Sequence, residues 1–160
     1  MAQESSLGAD FPMSAAASHI LQRANAIACR QGHPAVLPAH VLLAMLDQMP
    51  TAWEAALRLI DLSKDDVGRE LLALLPMEQS VHQCETALVG TATNELVAAA
   101  LANAVASQSN EIRRGHLVRA LLSMNDVVVS AALAYRTRCP EFREAIVAAC
   151  DEFGNNDEGE

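Results

Sequence analysis

Aromatic residues are scarce in this chain. One tryptophan, one tyrosine and three phenylalanines make up 3% of its 160 residues, although 51% of the chain is hydrophobic. Alanine, leucine and valine therefore carry the apolar fraction. That mixture argues against a sheet and for closely approaching helices, because alanine is the best helix former and a poor strand former. Basic residues are also few, 11 against 20 acidic ones, for a formal net charge of −9. A surface of that sign repels phosphate backbones, which speaks against nucleic acid as a partner. No apolar run reaches the ~18 residues that a membrane-spanning helix needs, so no membrane partner is expected. The opening MAQESSLGADFPMS lacks the basic n-region and apolar stretch of a secretory signal. The four cysteines, Cys29, Cys84, Cys139 and Cys150, show no C-x-x-C spacing. A chain of this length builds a core without staples, so reduced thiols in a cytoplasmic protein are expected.

What is present is helical periodicity. Residues 1–13 are polar and broken by Gly8 and Pro12, and read as a flexible lead-in. Ser14 is a fitting cap for a helix to about Gln31, in which Ala17, Ile20, Leu21, Ala24, Ile27 and Ala28 share one face. Gly32 and Pro34 end it, and Pro38 opens a short, mostly apolar second helix. Further helices are expected over about 51–60 and about 64–75, the latter capped by Ser63. A connector spans 76–91. Helices then follow at about 92–109, 114–124, 126–136 and 140–152, and the acidic tail 153–160 reads as disordered.

The segment VLPAHVLLAML returns as IRRGHLVRALL, with His116 standing 76 residues after His40. At that offset Ala24, Ala26 and Ala28 meet Ala100, Ala102 and Ala104; Val36 meets Ile112, Leu46 meets Leu122, and Leu57 meets Leu133. One four-helix unit cannot cover its own apolar face, and a second copy can. The reading is an all-α globule of two pseudo-symmetric four-helix repeats, 14–75 and 92–152, packed as one domain over 14–152.

These repeated segments resemble the N-terminal domain of the Clp ATPases. In that family each repeat carries an alanine-rich first helix, an aliphatic residue, and a histidine opening H-L-L-x-A-L-L. The resemblance covers about residues 15–152. The second copy, EIRRGHLVRALL followed by CPEF, is closest to the ClpV branch, the type VI secretion ATPases. The ClpC branch usually sets a phosphoarginine-receiving glutamate before each histidine; here Ala39 and Gly115 occupy those places. The ClpV branch adds an N-terminal helix that helps form a groove for a sheath helix, and Gly8 and Pro12 make a helix unfavourable in the matching stretch.

The resemblance implies a protein-binding module with no cofactor. Its partners would be a protein or peptide segment, such as a sheath-protein helix or an adaptor, and a Clp/ClpV-type ATPase. The ATPase ring itself is not expected in this chain. A P-loop needs G-x-x-x-x-G-K-[ST], and the only glycines at that spacing, Gly154 and Gly159, are followed by Glu160.

Several residues invite a chemical reading beside a plain one. His40 and His116 stand near helix starts whose caps, Leu37 and Arg113, are poor. Bonding a free N–H or a carbonyl there outweighs a role as ligands or an acid–base pair. His82, Cys84 and Glu85 are a possible zinc or nucleophile cluster, but a structural zinc wants four ligands and a nucleophile wants an orienting third group. An inter-repeat loop is the plainer reading, and no metal or catalytic residue is assigned. Asp65, Asp66 and Glu70 suit a helix N-terminus by their charge. Arg113, Arg114 and Arg119 are either a contact for an acidic partner or a solvated face. Trp53 is either a binding anchor or a core residue.

The leading expectation is a binding groove where the repeats meet, lined by Ile20, Arg23, Ile27, Trp53, Leu96, Ala99 and Asn103, which takes a short helical or extended segment. Two other classes stay open: an oligomerising or regulatory helical protein that competes for Clp N-domain partners, and an enzyme built on His82 and Cys84.

Overall fold

The computed structural model describes residues 12–48, 54–55, 58, 63–75, 88–89, 91–124, 128–129 and 131. Ser14 lies in extended backbone, and its hydroxyl accepts the Ala17 N–H at 3.1 Å. It thereby satisfies one of the donors that a helix start leaves open, and α1 (Ala15–Arg30) begins there. Its buried stripe is Ala17, Ile20, Ala24, Ile27 and Ala28. The helix stops at Gly32, whose φ of 75° suits a residue without Cβ. A two-residue strand β1 (Ala35–Val36) follows, then α2 (Pro38–Asp47), in which every residue from Pro38 to Leu46 is buried. Helix α3 (Lys64–Leu74) starts where the Ser63 hydroxyl accepts the Asp65 N–H, and it sends Val67 and Leu71 inward, with Leu75 just after it. Strand β2 (Leu88–Val89) lies inside the expected connector and leads into α4 (Thr91–Ala106), which buries Leu96, Val97, Ala100 and Ala104. Helix α5 (Arg114–Ser123) buries Leu117, Val118, Ala120, Leu121 and Leu122. Glu54, Ala55 and Arg58, and Val128, Val129 and Ala131, are helical where the third and seventh helices are expected. The helix expected at 140–152, the lead-in to Phe11 and the tail lie outside the described residues.

The 76-residue offset is written into the backbone as well as the sequence. Val36 pairs with Val89 in the parallel β1–β2 ribbon, and Ile112 pairs with Met13 in a separate parallel bridge. Adding the offset to Val36 gives Ile112, and subtracting it from Val89 gives Met13. Each repeat thus pairs the extended segment before its first helix with the segment before the other repeat's second helix. Packing follows the same reciprocity. Helix α1 lies on α2 and α4 lies on α5, while α1 crosses to α5, α4 crosses to α2, and α2 meets α5 at the pseudo-axis. The apolar faces close into one core that runs from Ala17 through Leu42 and Leu71 to Leu96, Leu117 and Leu121. Each such leucine contributes roughly 1.5–3 kcal/mol by leaving water, so neither half keeps that stabilisation alone.

One expectation is corrected. Cys29, half-buried on α1, is disulfide-bonded, and its partner lies outside the described residues. A disulfide requires the fold to bring two Cα atoms within about 7 Å, which spacing along the chain does not reveal.

Candidate functional site

The two histidines do the same backbone task. His40 Nδ1 accepts the Leu37 N–H at 2.9 Å, and His116 Nδ1 accepts the Arg113 N–H at 2.9 Å. Leu37 and Arg113 make no side-chain cap bond of their own. The third helical residue therefore reaches back to the cap N–H, as Glu or Gln does in a capping box. With Nδ1 accepting, a neutral imidazole carries its proton on Nε2. In the second repeat His116 Nε2 donates that proton to Ser107 Oγ, 3.0 Å away, and the Ser107 hydroxyl donates to the Ala104 carbonyl at 3.1 Å. In the first repeat Gln31 stands in the place of Ser107. There His40 Nε2 and Gln31 Oε1 are both buried without a hydrogen-bond partner. The His33 ring packs edge-on against His40, with centroids 4.8 Å apart. Burial, and then the nearby His33, lower the His40 pKa to about 4. Both histidines are bound into the fold at 0–1% exposure, so neither faces a ligand from solvent.

The residues expected to line a groove fall into symmetry-related pairs: Ile20 with Leu96, Arg23 with Ala99, and Ile27 with Asn103. Ile20, Ile27 and Leu96 belong to the core. Arg23, Ala99 and Asn103 are half-buried above it. Arg23 Nε lies 3.0 Å from Asp47 Oδ2 as a charge contact without the alignment of a hydrogen bond. Asn103 Nδ2 donates to the His116 carbonyl at 3.3 Å. Trp53 lies outside the described residues.

A cleft of about 440 Å³ opens elsewhere, between α2 and α3. It is lined by Leu43, Leu46 and Asp47 from α2, and by Asp65, Gly68, Arg69 and Leu72 from α3. Leu43 and Leu46 are buried, whereas Leu72 is 49% exposed. The α3 residues recur at three- and four-residue steps, so they form one face beside the Val67–Leu71 core face. The run Val67, Leu71, Leu72, Leu75 reads in sequence as a single buried stripe. The signal that separates Leu72 from it is its register with Asp65, Gly68 and Arg69.

Among the described residues the remaining candidates do not assemble into a reactive group. Among the described residues no set of three or more His, Cys, Asp or Glu side chains is placed to hold a metal ion. Asp66 is tied to Arg69 on its own helix. Of the three-arginine cluster, Arg113 Nε donates to Glu111 at 3.1 Å, Arg114 is buried and Arg119 is half-buried. His82, Cys84 and Glu85 lie outside the described residues. No helix among the described residues is long and apolar enough to cross a membrane.

No curated protein sequence matches the chain. Among solved structures, the Hsp104 N-terminal domain from Candida albicans superposes with a TM-score of 0.74 at 14% identity, over 91% of this chain and 93% of that one. The N-terminal domain of the ClpV1 ATPase from the Sci1 type VI secretion system of enteroaggregative E. coli gives 0.64 at 19% identity, over 89% and 87%. A structure described as a peptide from the SciI protein of that system gives 0.58 at 20% identity, over 83% and 89%. These likenesses establish the fold. Residues 12–135 match the family described as Clp repeat (R) N-terminal domain, and no ATPase domain is evident in the chain. With the match spanning most of the chain, and with two helix-start histidines set in pseudo-symmetric repeats, this protein belongs to the Clp repeat N-terminal domain family.

Proposed function

We propose that this chain is a protein- and peptide-binding module that brings a substrate or adaptor to a Clp/ClpV-type AAA+ unfoldase, in the branch that recycles the type VI secretion sheath. The observation that carries this reading is the fold likeness to the ClpV1 N-terminal domain over nearly the whole chain, and a structure described as a peptide from SciI of the same secretion system matches as well. The sequence adds the I-R-R-G-H-L stretch at Ile112–Leu117 and the later Pro140-Glu141-Phe142.

The proposed contact surface is the seam between the repeats. Arg23, Ala99 and Asn103 meet the partner there with Trp53, and Ile20, Ile27 and Leu96 support them from beneath. A helix laid on such a seam gains affinity from a few anchor side chains while the rim sets its register. Anisotropy titration of the chain with a labelled helical peptide from a type VI sheath protein tests this. Saturable binding that Arg23→Glu and Trp53→Ala each weaken at least tenfold is expected. Absence of saturation with folded protein, or binding indifferent to both variants, overturns it.

A further inference from the structure

We infer that the cleft between α2 and α3 is a second docking site, which takes a short segment of a partner protein that presents aliphatic side chains next to a lysine or arginine. It goes beyond the seam reading, because none of the residues assigned to the seam lines it.

The first observation is Gly68. It sits in the interior of α3, where glycine costs about 1 kcal/mol relative to alanine. Its φ is not positive, since Gly32 is the one glycine among the described residues with that conformation. A Cβ built at Gly68 would stand 3.9 Å from Leu43 Cδ2 and 4.0 Å from Leu46 Cδ1, which is ordinary van der Waals contact. Neither backbone geometry nor close packing therefore requires glycine here. What the missing side chain does is leave the floor between Leu43 and Leu46 open.

The second observation is Leu72 at the mouth, 49% exposed although the core-facing Leu71 beside it is fully buried. Bare leucine floor, exposed leucine rim and a volume of about 440 Å³ match the concave, largely apolar character of sites that hold inserted side chains.

The rim sets the charge of the occupant. Asp47 is engaged by Arg23, and Arg69 is engaged by Asp66. Asp65 is exposed, and its carboxylate meets no hydrogen-bond or ionic partner among the described residues. The charge left open at the cleft is therefore negative, on a chain whose net charge is −9. A basic group flanking the aliphatic anchor complements it and favours encounter.

The test uses the full chain and two fluorescein-labelled amphipathic peptides, one with lysines beside its leucines and a twin with glutamates in their place. The lysine peptide is expected to bind with amide shift changes centred on Leu43, Leu46, Gly68 and Leu72 in heteronuclear NMR. The glutamate twin is expected to bind at least tenfold more weakly. Gly68→Leu fills the floor and is expected to weaken the lysine peptide at least tenfold, and Asp65→Lys to narrow the gap between the twins. Leu72→Gln, at an exposed position, gives a second reading should Gly68→Leu fail to fold. Equal binding of the twins, shifts centred on Arg23 and Asn103 instead, or full affinity in folded Gly68→Leu or Leu72→Gln overturns the inference. Binding of a sheath peptide at the seam is expected to survive Gly68→Leu, so the failure of one site is separable from the failure of the other.

Discussion

The two repeats share a backbone and differ in how they satisfy it. At the end of the first helix of each, the same two bonds close the turn. Gly32 N–H meets the Cys29 carbonyl at 3.0 Å and His33 N–H the Ala28 carbonyl at 2.9 Å; Gln108 N–H meets Val105 at 3.0 Å and Ser109 N–H meets Ala104 at 2.9 Å. Yet the left-handed position is glycine in one and glutamine in the other, at φ 75° and φ 61°. The histidine that follows is fully bonded in the second repeat and half-bonded in the first. Duplication preserves the hydrogen-bond scheme that the fold cannot do without. It leaves free the side chains around that scheme, so each repeat stores its strain in a different place.

Removing the histidines tests that contrast most severely. His116→Ala leaves the Arg113 N–H without its acceptor, takes the Nε2 donor from the Ser107 oxygen and opens a void, and a loss of about 3–4 kcal/mol is expected. His40→Ala leaves one N–H unpaired but also discards a buried donor that has no partner, so about 2 kcal/mol is expected. Urea unfolding of both variants decides it. An equal or reversed order would show that the Ser107 bond adds nothing.

The same asymmetry predicts a response to acid that belongs to the first repeat. His40 has a pKa of about 4 in the folded chain, below its ordinary 6.5, because burial and then His33 disfavour its cation. The unfolded chain therefore takes up the proton first. The stability that His40 contributes is complete above pH 6.5, falls as pH drops through the window down to about 4, and is level below it. The loss across that window is on the order of 3 kcal/mol. His40→Gln keeps an acceptor of the kind found in capping boxes and removes the titration. Its stability is expected to fall less steeply between pH 6.5 and 4 than that of the parent chain. Parallel slopes would remove His40 as the source.

Exchanging the turn residues has a smaller effect. Gly32→Gln forces a Cβ into the left-handed region and is expected to cost about 1–2 kcal/mol. Gln108→Gly relieves the same strain, less the greater freedom of glycine in the unfolded chain, for a gain of about 0.5–1 kcal/mol. Opposite shifts in melting temperature are the expected result, and a loss in both would place the value of Gln108 in its side chain.

How far the sequence carries depends on whether a feature is periodic. The start of α2 at Pro38, the start of α3 after Ser63 and the span of α5 were legible, because caps and apolar steps act locally. The all-α duplication was legible because its offset repeats. The need for an acceptor at each helix start was legible from the poor caps Leu37 and Arg113. What was hidden depends on residues far apart in the chain: the pairing of Val36 with Val89, the disulfide of Cys29, and the burial in the core of Ile20 and Leu96, whose apolar character had suggested a groove lining. The cleft was hidden for another reason. Leu71 and Leu72 are indistinguishable by hydrophobicity, and only the helix register sends one inward and the other out.

The smallest contrast lies at the surface. Arg23 and Asp47 form an ion pair at 3.0 Å in the first repeat. Their counterparts at the same offset are Ala99 and Ser123, and the Ser123 hydroxyl returns to its own helix at the Arg119 carbonyl, 2.8 Å away. At these two positions the second repeat carries no ion pair. Both charged side chains of the first are partly solvated, so their attraction is screened and is offset by the ordering of two long side chains. Arg23→Ala makes the first repeat resemble the second, and is expected to change stability by no more than about 0.5 kcal/mol, with the difference vanishing in molar salt. A double-mutant cycle with Asp47→Ala measures the coupling. A coupling well above 1 kcal/mol that persists in high salt would mean that the pair holds α1 to α2, and that the two repeats are fastened by different means.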